Sequence, residues 1–244
     1  MKLDILAIAA HPDDVELCCS GVVLKHIEAG YKVGIIDLTQ GELGTRGSAK
    51  LRLEEAVVAA GMMKVDVREN LGFADGFFVN DKKHQLALIQ KIRQYQPEII
   101  LANAVHDRHI DHGRGSKLIS DACFLSGLVK IETSMDGSIQ DRWRPKAVYH
   151  MIQDYYIKPD IVIDITKFQE KKVELILTYK SQFFNPDYQE EGAEEELQTP
   201  ISNKDFLNFL EGRAREIGRP LGYTFAEGFT VERPIGVKNL FDLD

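Results

Sequence analysis

Short runs of apolar residues alternate with longer amphipathic stretches through the first half of the chain. Residues 3–10, 32–39 and 98–103 are almost continuously apolar, which is typical of strands buried on both faces of a parallel sheet. Residues 65–71 predict a further short strand. Between the strands, apolar side chains recur at helical spacing. The helices predicted in this half span residues 15–29, 50–63, 82–95 and 112–126.

The second half of the chain is patterned less regularly. Strands are predicted at residues 147–152 and 160–165, and helices at 167–182 and 203–217. Residues 185–200 are acidic and contain proline, which predicts a mobile surface loop.

Strands that alternate with helices indicate an α/β protein. The lengths of the connections suit right-handed crossovers between parallel strands. We therefore expect a Rossmann-like three-layer sandwich with a mostly parallel sheet and an elaborated C-terminal part. No repeat or linker divides the chain, so residues 1–244 are predicted to form a single domain.

The charge and cysteine content narrow the classes of partner and compartment. With 30 basic and 38 acidic side chains, the net charge is −8, which argues against non-specific binding to nucleic acid or an anionic membrane. A helix that spans a bilayer needs about 18 consecutive apolar residues, and every apolar run in this sequence is much shorter. The three cysteines include the adjacent Cys18 and Cys19 and form no disulfide pattern, so we expect a cytoplasmic protein.

The first predicted strand ends in the sequence HPDD. Ligands of open α/β sheets bind beyond the carboxyl ends of the strands, where His11, Asp13 and Asp14 are expected to lie. Imidazole nitrogen and carboxylate oxygen are ligands of catalytic zinc, which predicts a metal site. The alternative is a simple helix start, because proline and aspartate are both favoured in a first helical turn. The turn lacks GxGxxG, so a dinucleotide site is disfavoured.

A second polar cluster follows a later strand. Residues 106–112 read HDRHIDH and hold three of the seven histidines, directly after the strand predicted at 98–103. One of these histidines can complete a His₂Asp site and another can serve in catalysis, although the pattern alone does not say which. A solvated histidine-rich turn is the alternative. The two clusters together indicate a metal-dependent enzyme more strongly than either does alone.

With these motifs the chain resembles the zinc deacetylases related to N-acetylglucosaminyl-phosphatidylinositol deacetylase. The resemblance covers nearly the whole chain and is closest to the branch that acts in bacillithiol biosynthesis. The segments that carry it are AHPDDVEL, DLTQGELGTRGS with the following RLEEA, RHIDH, YKSQF and YTFAEGF.

The resemblance implies a division of labour between the two clusters. It implies one zinc ion per chain, held by His11, Asp14 and His112. It further implies that Asp13 is the general base and that protonated His109 stabilises the oxyanion formed when water attacks an amide. The residue types by themselves also suit iron(II) or cobalt.

Asp111 corresponds to a carboxylate that orients the catalytic histidine in the family. The residue before it departs from the family pattern, because this chain has Ile110 where proline is common. Since proline is not a ligand, we expect the change to alter the stiffness of the turn and not its chemistry.

Three arginines are candidates for binding the substrate. Arg52 matches an arginine implicated in substrate binding, and Arg46 and Arg108 lie in or beside the loops expected to rim the site. A guanidinium group matches a carboxylate bidentately, which suits an anionic substrate group. Alternatively, Arg52 forms an ion pair with Glu54 or Glu55, and Arg108 forms one with a neighbouring aspartate of its own motif.

The function implied is hydrolysis of the N-acetyl group of an N-acetylglucosamine conjugate, with N-acetylglucosaminyl malate as the expected substrate. A chitooligosaccharide or a thiol conjugate is the nearest alternative. A two-metal phosphoesterase is a more distant one, and it would need more bridging carboxylates. A non-catalytic binding module would not need Asp13 and His109. The resemblance also implies a homo-oligomer, such as a hexamer, and a small-molecule amino sugar as the only ligand class.

Overall fold

The computed structural model describes residues 1–185 and 197–242. Within these residues, seven strands form one sheet in the order β3-β2-β1-β4-β7-β9-β8, and two short strands form a separate hairpin. The strands are β1 Ile5–Ala9, β2 Val33–Thr39, β3 Val67–Phe73, β4 Ile99–Ala102, β5 Ser134–Met135, β6 Ser138–Ile139, β7 Ala147–Met151, β8 Ile161–Asp164 and β9 Ala226–Val231.

The helices pack on both faces of the large sheet. They are α1 Asp14–Cys18, α2 Ser20–Glu28, α3 Ala49–Met63, α4 Lys82–Tyr95, α5 Ile110–Ser126, α6 Gln169–Ile176 and α7 Lys204–Gly218. Buried side chains of α1, α2, α3 and α6 form one apolar cluster with one face of the sheet, and those of α4 and α5 form a second cluster with the other face. This arrangement is the expected three-layer α/β sandwich.

The strand order fixes where a ligand can bind. Strand β1 pairs in parallel with β2 on one side and with β4 on the other, so the chain changes direction across the sheet at β1. Such a switch point opens a crevice at the carboxyl ends of the two central strands. All residues of β1 and β2 are buried, as their continuous apolar runs predict. Both histidine motifs follow strands that border this crevice.

Most predicted elements are confirmed within a few residues, and the exceptions have local causes. The helix predicted at 15–29 is two helices, because the backbone of Cys19 (φ −144°, ψ 12°) leaves the helical region. The helix predicted at 167–182 begins with a 3₁₀ turn at Thr166–Phe168, continues as an α-helix from Gln169 and ends at Ile176. Most of the acidic loop predicted at 185–200 lies outside the described residues.

Strand β9 was not predicted, and it connects the C-terminal part to the rest of the sheet. It lies between β7 and β8 and is antiparallel to both. From β9, the buried carboxylate of Glu227 accepts hydrogen bonds from the backbone N–H groups of Gly21 (2.9 Å) and Val22 (2.7 Å) at the start of α2. Lys172 pairs with the same carboxylate at 2.7 Å. A residue near the chain's end therefore caps a helix near its beginning.

Neither disulfide bonds nor membrane-spanning helices are found among the described residues. Cys18, Cys19 and Cys123 are buried and carry free thiols. In the part of the chain that the structure describes, every helix is too short or too polar to cross a bilayer.

Candidate active site

The turn after β1 carries the first cluster. The backbone N–H of His11 donates to Oδ2 of Asp14 (3.0 Å), which folds the HPDD turn onto itself. Asp14 begins α1, and Asp13 precedes it with φ 121° and ψ −22°. A non-glycine residue rarely adopts this conformation, and it typically costs about 1–3 kcal/mol where the surrounding structure enforces it. The strain turns the two adjacent carboxylates toward different partners.

His11, Asp14 and His112 converge at the bottom of the crevice. Nδ1 of His11 lies 3.6 Å from Oδ2 of Asp14, and Nε2 of His112 lies 3.1 Å from Oδ1 of the same carboxylate. The nitrogen atoms of His11, His112 and His109 also lie within 4.8 Å of one another. The structure therefore brings together the three predicted ligands, which offer two imidazoles and one carboxylate.

The ring nitrogens turned away from Asp14 are also held by carboxylates. Nε2 of His11 lies 3.1 Å from Oδ1 of Asp75 and 3.5 Å from Oδ2 of Asp111. Nδ1 of His112 is hydrogen-bonded to Asp107. Metal-binding histidines typically donate their second N–H to a carboxylate in this way, which fixes the tautomer. The donor set and its supports therefore fit a divalent cation such as zinc.

The same carboxylates set the charge of the two imidazoles in the metal-free protein. Burial lowers the pKa of His11, but hydrogen bonds from its ring to the carboxylates of Asp111, Asp14 and Asp75 outweigh this effect and hold the pKa well above its usual value. Burial likewise opposes protonation of His112, whose pKa is nevertheless raised to about 9 by Asp14 and Asp107. The surrounding carboxylates therefore favour the protonated form of both rings, and a cation that binds here must displace those protons.

Two amide side chains fix the orientation of the Asp14 carboxylate. Nε2 of Gln153 donates to its Oδ1 at 3.0 Å, and Nδ2 of Asn103 donates to its Oδ2 at 3.1 Å. The Gln153 carbonyl in turn accepts from Asn103 at 2.8 Å and from the backbone of Ala104 at 2.9 Å. All of these side chains are buried, so the carboxylate has a single well-defined position.

Asp13 faces an arginine. Nη2 of Arg52 donates to Oδ2 of Asp13 at 2.6 Å, and its Nε donates to the carbonyl of Pro12 at 3.0 Å. Burial raises the pKa of Asp13 to about 6, against the lowering effect of the Arg52 charge. The structure pairs Arg52 with Asp13 and not with Glu54 or Glu55, and it places Arg52 in the lining of the cavity, so its predicted contact with substrate stays a prediction.

His109 caps the N-terminus of α5 beside the two other histidines. Its ring centroid lies 4.6 Å from that of His11 and 5.2 Å from that of His112. Burial and these two neighbours lower the pKa of His109, which favours the neutral ring. Its Nδ1 accepts from the backbone N–H of Asp111 at 3.3 Å, so the proton of the neutral ring is on Nε2.

The contacts of Asp111 differ from the expectation that its carboxylate orients His109. Oδ2 accepts from the backbone N–H of Gly76 at 2.7 Å, and Oδ1 accepts from Arg114 at 2.7 Å. The contact of Asp111 with His109 is made by its backbone, while its carboxylate lies beside His11.

A cavity of about 380 Å³ opens above these groups. Arg108 lies on its wall and pairs with Asp154 at 2.7 Å, not with the aspartates of its own motif. Arg46 is buried and is not among the residues that line the cavity. The lining also includes Phe206, Phe209, Leu210 and Arg213 from α7.

Several residues of the site were missed from the sequence, although one signal could have found most of them. Asp75, Asn103 and Gln153 lie within two residues of the ends of β3, β4 and β7, which are parallel strands of the same sheet. The rule that identified HPDD applies equally to these strand ends. Arg213 lies within a helix and had no such signal.

Comparison with known proteins agrees with this geometry. A sequence model of the PIG-L family, described as GlcNAc-PI de-N-acetylase, matches residues 6–123. This segment contains both histidine motifs. Over these residues the chain is similar to the PIG-L family.

The proteins that this chain resembles along most of its length have different activities in their names. Diacetylchitobiose deacetylase of Thermococcus kodakarensis is 26% identical over 92% of this chain and 81% of its own length. The 4-oxalmesaconate hydratase of Pseudomonas putida is 27% identical over 68% of this chain and 69% of its own. The crystal structure of a conserved protein from Thermus thermophilus superimposes with a TM-score of 0.84 at 29% identity, over 98% of each chain. The fold of the Thermus protein therefore extends over nearly all of this chain.

Proposed function

We propose that this protein is a metal-dependent hydrolase that removes the N-acetyl group from an N-acetylglucosamine conjugate. One observation supports this most directly: Asp13 and His109, which are not in the His₂Asp ligand set, lie on the same cavity wall as that set. A cation-binding module would not need a strained, arginine-paired carboxylate beside the site. The family description and the relative named diacetylchitobiose deacetylase support the same reaction class.

Each group has a distinct role in this proposal. His11, Asp14 and His112 hold the cation, with zinc as the expected metal, which when bound acts as a Lewis acid on the reacting oxygens. Asp13 accepts the proton of the attacking water and later delivers it to the leaving nitrogen, so that the C–N bond breaks to give acetate and a free amine. His109 donates its Nε2–H to the oxygen on which negative charge develops.

The neutral form of His109 is sufficient for its role. Because Nδ1 accepts the Asp111 N–H, the neutral ring still carries a donor at Nε2. A neutral donor also avoids placing a further positive charge beside a bound cation. This modifies the expectation that His109 acts in its protonated form.

We propose N-acetylglucosaminyl malate as the substrate, as the resemblance to the bacillithiol branch implies. Arg108 lies on the cavity wall, which supports contact with a malyl carboxylate. Arg52 is already held by Asp13 and Pro12, so we assign it to the general base and not to the substrate.

A homo-oligomer is part of the same proposal. The side chains of Leu240 and Phe241 are 81% and 94% exposed, so contact between copies would cover apolar surface. Light scattering after size exclusion should give a mass of two or more chains of 27.6 kDa each. A monomeric mass at micromolar concentration would contradict the proposal.

A hydratase is the second candidate, because the Pseudomonas putida relative has that name at a similar identity. The two reactions give different products. A deacetylase releases acetate and a primary amine, whereas a hydratase adds water to a carbon–carbon double bond and releases neither.

The deciding experiment incubates the purified, zinc-loaded protein with N-acetylglucosaminyl malate, methyl N-acetylglucosaminide, diacetylchitobiose and 4-oxalmesaconate. We expect acetate and free amine in equal amounts from the malate conjugate, with a lower kcat/KM for the other two sugars. Consumption of 4-oxalmesaconate without release of acetate from any sugar would favour the hydratase. Asp13→Asn is the control that excludes a contaminating deacetylase.

A further inference from the structure

Helix α7 brings one more cation to the cavity. Arg213 lines the cavity, and its guanidinium group lies 4.4 Å from the centre of the Phe209 ring. Its Nη2 donates to the backbone carbonyl of Asp154 at 2.6 Å. These two contacts fix the position of the guanidinium group.

The charge of Arg213 is not balanced in the way that the other cavity arginines are. Arg52 pairs with the carboxylate of Asp13, and Arg108 pairs with that of Asp154. None of the ion pairs among residues 1–185 and 197–242 includes Arg213. Burial lowers the pKa of Arg213, and this effect outweighs the opposing charges of Asp154, Asp107 and Glu216, none of which forms an ion pair with it in the part of the chain that the structure describes.

The position of Arg213 relates it directly to the reacting centre. Asp154, which holds it, follows Gln153, and Gln153 contacts the Asp14 carboxylate at 3.0 Å. Arg108 approaches the same Asp154 through its side chain. Two guanidinium groups therefore contact Asp154 in the cavity lining. Asp154 is separated from the proposed metal ligand Asp14 by one residue, Gln153, which contacts it.

The chemistry of this wall favours an anion over a neutral sugar. A second sugar ring commonly stacks on an aromatic face, but the Arg213 guanidinium already covers one face of Phe209. Its backbone hydrogen bond uses one N–H, and a guanidinium has five. A carboxylate matches the planar fork of those that remain.

We propose that Arg213, assisted by Arg108, forms a subsite for a carboxylate on the group attached to the amino sugar, and that Arg213 determines specificity for such substrates. This inference rests on the proposed deacetylase function and names a contact that the sequence motifs do not contain. Arg213 binds the leaving portion of the conjugate and takes no part in proton transfer. Its loss should therefore change KM far more than kcat.

The test compares N-acetylglucosaminyl malate with the neutral methyl N-acetylglucosaminide in wild type, Arg213→Gln and Arg213→Lys. We expect Arg213→Gln to raise KM for the malate conjugate by about tenfold or more, since a hydrogen bond to a charged group typically has that effect on binding. The kcat for this substrate and the kcat/KM for the neutral glycoside should change less than about threefold. Arg213→Lys should recover part of the KM, because it keeps the charge but not the fork.

Arg215→Gln is the matched control, because Arg215 lies on the same helix, is exposed and pairs with Glu211 at 2.8 Å. It should leave both substrates unaffected. Equal losses on both substrates in Arg213→Gln, or no change on the malate conjugate, would overturn the subsite. If wild type releases acetate from neither substrate, the proposed function itself fails, and that result is distinct from any effect of the variants.

Discussion

Asp13 combines two features that are costly for a side chain. Its backbone has φ 121°, and its buried carboxylate depends on Arg52 to remain ionised. Neither feature improves packing, and both direct the carboxylate toward the cavity. Strain that the surrounding structure enforces is typical of functional positions.

Replacement of Asp13 by asparagine tests its role as general base. Asp13→Asn keeps the size of the side chain and its left-handed tolerance but cannot accept a proton. We expect bound zinc to remain at one ion per chain and kcat to fall by at least about 100-fold, a typical contribution of a general base. Elemental analysis and an acetate assay measure the two quantities. Turnover at the wild-type rate would exclude Asp13 as the base.

Arg52→Gln tests whether the arginine tunes that base. Asp13 acts in its ionised form, so activity rises as pH increases through its pKa, which is about 6 in the metal-free protein. The positive charge of Arg52 lowers this pKa, and its removal must raise it. We expect the acidic limb of the kcat/KM profile to move to higher pH.

The position of the acidic limb does not depend on how much of the variant is folded, so the measurement tolerates some loss of stability. Arg52→Lys keeps the charge and should stay closer to wild type. An unchanged limb in Arg52→Gln would show that Arg52 has a purely structural role.

At the scale of elements, the loop after β2 holds Arg52 in place. Gly41 has φ 65°, and a Cβ atom added there would lie 2.5 Å from Nη1 of Arg52. Gly30, after α2, also has positive φ (89°), but an added Cβ would meet nothing within 4 Å. A comparison of alanine variants at these two glycines therefore distinguishes the effect of backbone strain from that of a collision with Arg52.

Gly41→Ala should therefore reduce activity more than Gly30→Ala does. Both changes place alanine in a left-handed conformation at a cost of about 1–2 kcal/mol. Only Gly41→Ala displaces the guanidinium group from Asp13, and we expect kcat/KM to fall at least about tenfold while the melting temperatures of the two variants stay similar. Equal activity in both variants would mean that Arg52 can shift without effect on Asp13.

The elements near the site were predictable because their signals are local. Unbroken apolar runs identified β1, β2 and β4, and the strand-end rule placed both histidine motifs at one edge. Strand β9 was missed because Ala226–Val231 contains glutamate and glycine, and the buried glutamate caps a helix distant in the chain. The break at Cys19 has no local breaker either.

The partners of the site residues were less predictable than the residues themselves. Spacing identified His11, His112 and Asp13, but the contacts of Asp75 and Arg52 depend on how separate loops meet. A sequence pattern indicates which side chains share an edge of the sheet. It does not indicate which carboxylate accepts which proton.

At the scale of the whole molecule, the metal and protons compete for one site. His112 has a pKa of about 9, and that of His11 is also raised, so a cation must displace protons from both rings at neutral pH. Metal affinity should therefore increase with pH, because the ligating imidazoles must be neutral.

Competition with a chromophoric chelator at pH 6, 7 and 8 measures this dependence. We expect zinc affinity to increase by at least about tenfold for each pH unit, since one or two protons are displaced. His112→Ala should lose tight binding, whereas His84→Ala, whose side chain contacts Asp81 instead, should not. An affinity that is independent of pH would contradict the protonated state of the free site.

The capping of α2 by Glu227 has a consequence for synthesis of the chain in the cell. The carboxylate that accepts the hydrogen bond of the Gly21 N–H lies 206 residues later in the sequence. Strand β8 likewise pairs with the sheet only through β9. Contacts of such long range form late in folding. The helix that follows the first proposed metal-binding motif is therefore capped only after β9 has been synthesised, and metal loading is expected to follow that step.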